Sequence, residues 1–107
     1  MTEQVRVPDP GDDDAVFRFA HSYNGYELHG GLNHLSEEVR AVQEHWQRTG
    51  ELGDDLDRLR GCLFFEARGW RHAGGWGSFA RQPFVAALLT RIRSLSGGSV
   101  PARGTVA

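Results

Sequence analysis

Residues 32–50 read Leu-Asn-His-Leu-Ser-Glu-Glu-Val-Arg-Ala-Val-Gln-Glu-His-Trp-Gln-Arg-Thr-Gly. Leu32, Leu35, Val39, Val42 and Trp46 step by three and four along this stretch, the spacing that brings side chains onto one face of an α-helix. Asn33 or Ser36 is placed to cap its start, and Gly50 to end it. The opposite face carries Glu37, Arg40, Glu44 and Arg48, spaced for stabilising Glu–Arg pairs. One apolar stripe needs a partner, so the fold depends on what the neighbouring segments offer.

C-terminal to it, Asp54 and Asp55 precede Leu56, Leu59, Leu63, Ala67 and Trp70, a second helical stripe running to about His72. Phe64 and Phe65 flank that stripe, which marks this helix as the central element with neighbours on several sides. Gly61 and Gly69 weaken it, and glycine within a helix often marks close backbone approach. Pro83 suits the first turn of a last helix, whose apolar face is Phe84, Val85, Leu88, Ile92 and Leu95 and whose stop is Gly97-Gly98. Toward the N-terminus, Asp12, Asp13 and Asp14 favour a helix start ahead of Val16, Phe19, Ala20 and Tyr23. A rival reading takes the alternation of Phe17, Phe19, His21 and Tyr23 with Asn24-Gly25 as a short hairpin. The expectation is an all-α bundle of about four helices over residues 12–97. Residues 1–11 read as a flexible arm and 98–107 as a flexible tail.

The chain has 107 residues, enough for one domain with a real core. No apolar run approaches bilayer-spanning length, no signal peptide is visible, and Cys62 is the sole cysteine. These features favour a reducing cytoplasm and exclude an internal disulfide or a cysteine-rich zinc site. All 12 basic residues are Arg. Residues 1–53 carry ten acidic residues and four Arg, a net of −6, while residues 54–107 carry four acidic residues and eight Arg, a net of +4. The halves can therefore attract each other, within one chain or between two. The weakly acidic whole argues against general nucleic-acid binding.

Candidate chemistry is sparse. His34, Glu38 and His45 share a strip of the second helix, but no His-x-x-x-His or Glu-x-x-His occurs, so no metal and no cofactor is expected. Glu66 borders the apolar stripe and reads as a carboxylate paired with Arg18 or Arg40. Cys62 reads as a small buried hydrophobe.

The segment Arg68-Gly-Trp-Arg-His-Ala-Gly-Gly-Trp-Gly-Ser-Phe-Ala-Arg81 mixes Arg, Trp and Gly. Arg and Trp are the residues that most often anchor interfaces. Arg68, Arg71, His72, Trp76 and Arg81 are the expected contacts with a partner, either another protein or a second copy of this chain. The reading is a non-enzymatic interaction module in the cytoplasm, without membrane contact. Its alternatives are a small His/Glu enzyme or metal protein, and an Arg-mediated nucleic-acid binder.

Overall fold

The computed structural model describes residues 4–23, 29–73 and 82–101, with side chains through Gly69 in the second span. Four helices carry the fold among these residues: α1 (Asp13–His21), α2 (Leu32–Thr49), α3 (Leu56–Ala73) and α4 (Pro83–Ser96). The all-α expectation holds. Two short strands, β1 (Gln4–Arg6) and β2 (Ser99–Pro101), pair antiparallel with Val5 opposite Val100.

Each helix boundary has a local cause. Asp12 caps α1, its carboxylate accepting from the Ala15 N–H at 3.1 Å, with Asp13 and Asp14 in the first turn. Residues 15–21 are thus helical rather than a hairpin strand, and Asn24-Gly25 lies outside the described residues. α2 starts after Gly31, and neither Asn33 nor Ser36 caps it. Its stop is the expected one: Gly50 adopts φ 76°, a left-handed conformation costly for other residues, and its N–H bonds the Trp46 carbonyl at 2.8 Å. Asp55 accepts from the Arg58 N–H at 3.2 Å at the start of α3, and Pro83 opens α4.

α3 is the central element, packed against α1, α2 and α4. The core draws Val16, Phe19 and Ala20 from α1 and Leu35, Val39 and Val42 from α2. Leu59, Leu63 and Ala67 of α3 and Val85, Leu88 and Ile92 of α4 complete it. Trp46 and Leu56, expected in that core, are only partly buried against it. Leu32 lies on the expected stripe yet is 50% exposed, while Leu35, one turn on, is fully buried.

The two chain ends carry the strands, where the sequence shows no periodic pattern. A three-residue strand is too short to reveal alternation, and the pairing joins segments more than ninety residues apart in sequence. Val7 and Val100 are buried there, and the Arg93 guanidinium ties the arm down by donating to the Val7 carbonyl at 2.9 Å and to Asp9 at 3.0 Å. No helix among the described residues is long and apolar enough to cross a membrane.

Candidate functional site

Two features stand out, a groove and a buried polar knot. The groove, about 790 Å³, runs between the α2–α3 connection and α4. Its floor forms because Ala86 and Ala87 are small, leaving room beside Leu52 and the half-buried Trp46 indole. Trp46 is held by the Phe84 ring, 5.3 Å away and tilted by 51°. Arg91 fastens the connection to α4 by donating from Nε to the Gly53 carbonyl at 2.7 Å. Glu51 and Asp54 stand exposed in the lining and meet no cation within ion-pair distance among the described residues. An apolar floor with two unneutralised carboxylates at its lip suits a segment carrying a large apolar side chain next to basic ones.

The knot lies where α1, α2 and α3 converge. Tyr23, buried just beyond α1, donates its hydroxyl proton to the Asp57 carbonyl at 2.9 Å and lies 2.8 Å from His29 Nε2. His29 Nε2 is 3.2 Å from the same carbonyl, and its Nδ1 pairs with the Glu38 carboxylate of α2. The imidazole lies so close to Gly61 that a Cβ there would sit 2.8 Å from Nε2. Arg60 completes the cluster, its guanidinium carbon 4.7 Å from the Tyr23 ring centroid and 5.9 Å from that of Phe19. Burial, and then the negative charge of Asp57, raise the Tyr23 pKa well above that of a free phenol, so its hydroxyl stays protonated. Burial lowers that of Arg60 from its ordinary value.

The expected site residues fall in several places. Arg68 is exposed on α3. Arg71 and His72 lie in the last turn of that helix with side chains outside the described residues, and Trp76 and Arg81 are outside them altogether. His34 and His45 are exposed on α2, while Glu38, on the same strip, turns instead to His29. Among the described residues no group of three or more His, Cys, Asp and Glu side chains converges as a metal site would. Glu66 is half-buried, and neither Arg18 nor Arg40 pairs with it. Burial alone raises its pKa. The Glu37–Arg40 and Glu44–Arg48 pairs do not close to ion-pair distance either. Cys62 is fully buried, and burial reinforced by the nearby Glu66 pushes its thiol up to about 12. A thiol so placed is not a nucleophile near neutral pH.

Sequence reasoning missed Tyr23, His29 and Arg60 as one cluster. The available signals were Gly61 in mid-helix and Arg60 set within the apolar run around Leu59, Cys62 and Leu63. Of the arginines that nucleic-acid binding would use, Arg60 is buried and Arg93 is paired with Asp9. Comparison of the chain with protein-family models, with curated proteins and with solved structures gives no match.

Proposed function

We propose that this chain is a non-enzymatic, cytoplasmic interaction module that associates with a second copy of itself, the groove of one copy receiving the Arg68–Arg81 segment of the other. The observation that carries this reading is the groove itself: an apolar floor of Trp46, Leu52, Ala86 and Ala87 beside the unneutralised carboxylates of Glu51 and Asp54. The same chain carries the complementary sequence, with Trp76 set among Arg68, Arg71 and Arg81. The charge imbalance between the two halves favours the same docking. The protonated states of Tyr23 and Cys62 favour a binding role over nucleophilic catalysis. A buried free thiol fits the reducing cytoplasm.

Analytical ultracentrifugation over a wide concentration range tests the reading. Wild-type protein is expected to associate, more weakly as salt rises. The double variant Glu51→Arg/Asp54→Arg, and separately Arg71→Ala and Trp76→Ala, should shift it toward monomer without lowering its melting temperature much. Adding Arg71→Glu and Arg81→Glu to the groove double variant should restore association. A chain that stays monomeric at every concentration, or associates equally with the groove charges reversed, overturns the proposal.

A further inference from the structure

The groove offers an occupant two kinds of surface. Trp46 packs against the buried Phe84 ring and also lines the groove, so part of its indole faces the opening. Glu51 and Asp54 line it too, exposed and without an ion-pair partner among the described residues. Arg91 shares the lining, but its Nε is committed to the Gly53 carbonyl, and two carboxylates against one guanidinium leave the groove negative. A cation is favoured there. The chain holds no lysine: all 12 of its permanently charged side-chain cations are Arg. The permanently charged side chain that a second copy can bring to the groove is therefore a guanidinium.

We propose that the groove is a guanidinium receptor: an arginine side chain lies against the Trp46 indole and bonds the Glu51 or Asp54 carboxylate, and an ammonium group is held less well. The inference rests on the self-docking reading and names the group that the groove recognises. A guanidinium is planar and weakly hydrated, so it stacks on an aromatic ring while the N–H groups at its edge meet carboxylate oxygens. An ammonium is compact and strongly hydrated, and gains less from the ring. Trp attracts a cation more strongly than Tyr or Phe does. The small Ala86 and Ala87 leave space for the aliphatic stem of the arginine. Trp46 is thus the specificity-determining residue, while the two carboxylates supply an attraction that any cation shares.

The test is a nuclear magnetic resonance titration of the full chain carrying Trp76→Ala, which leaves the groove vacant and its lining unchanged. The probes are N-acetylargininamide and N-acetyllysinamide, each with one side-chain cation, at equal ionic strength. The arginine probe should shift the Trp46 indole N–H and Gly53 amide signals saturably, and the lysine probe should bind roughly threefold or more weakly. Trp46→Leu, followed at the Gly53 amide, should bring the two probes to equal affinity. Glu51→Gln/Asp54→Asn changes only exposed groups and should remove the response to both, which keeps the test decisive if the Trp46 variant fails to fold. Absence of any shift, equal affinity for the two probes, or selectivity that survives in folded Trp46→Leu overturns the proposal. Arginine-selective binding by a chain that the ultracentrifuge shows to be monomeric upholds the receptor and overturns self-docking alone. Self-association without that selectivity overturns the receptor alone.

Discussion

The Tyr23 hydroxyl lies 2.8 Å from His29 Nε2, and that contact joins the end of α1 to the residues leading into α2 over a carbonyl of α3. Tyr23 continues the apolar spacing of Val16, Phe19 and Ala20, and it is among the largest fully buried side chains of the domain. Tyr23→Phe keeps the ring and removes the hydroxyl that donates to the Asp57 carbonyl. It should cost about 1–3 kcal/mol, the loss expected when buried polar groups are left unsatisfied. Urea denaturation of the two proteins measures it, and a difference under a few tenths of a kcal/mol would mean His29 alone satisfies that carbonyl.

Gly61 and Gly69 lie on the same helix and should respond in opposite directions. At Gly61 a methyl group would stand 2.8 Å from His29 Nε2 and 3.0 Å from Leu35 Cδ1. Gly61→Ala should therefore destabilise by ~1–3 kcal/mol through overpacking, despite better helix propensity. At Gly69 nothing lies within 4 Å, so Gly69→Ala should stabilise by up to ~1 kcal/mol. Equal effects in thermal melts would mean that α2 and α3 do not approach each other closely at Gly61.

Glu66 gives a pH dependence with a definite sign. Its pKa is raised in the folded chain because burial disfavours the carboxylate. Between the ordinary carboxylate value and the raised one, the folded state holds more of this proton than the unfolded state. Stability from this group therefore falls as pH rises through that window and is level beyond it. Glu66→Gln removes the dependence. The variant should match wild type at low pH and become the more stable of the two as pH rises to neutrality, as read from denaturation midpoints at several pH values. A wild type that gains on the variant with rising pH would show the carboxylate to be favourably paired.

Leu63 and Leu32 separate stripe position from burial. Leu63, 1% exposed at the centre of α3, should cost ~2–5 kcal/mol when cut to Ala. Leu32, half exposed at the start of α2, should cost under about 0.5 kcal/mol, as surface substitutions do. The ratio of the two losses in chemical denaturation checks which end of each stripe meets the core.

Four helices and most of the core were legible in the sequence because helical periodicity is a local property. Leu35, Val39 and Val42 on one stripe, and Leu59, Leu63 and Ala67 on another, declare a buried face wherever the partner lies. Asp12, Gly50 and Pro83 mark helix ends by chemistry acting within one turn. What the chain could not announce is every feature made by residues far apart in sequence. The pairing of Val5 with Val100 has no local signature, and Leu32 is half exposed although it shares a stripe with the buried Leu35. The groove depends on Ala86 and Ala87 of α4 facing the Gly50–Asp54 connection. Glu38 shares a helical strip with His34 and His45, but its partner is His29, which lies ahead of α2. Arg60 sits in sequence within an apolar run, but its burial beside the Tyr23 and Phe19 rings is a product of packing. Hydrophobic spacing encodes which face of a helix is buried, while which residues lie opposite that face is decided by how the helices pack, and the candidate sites arise from that packing.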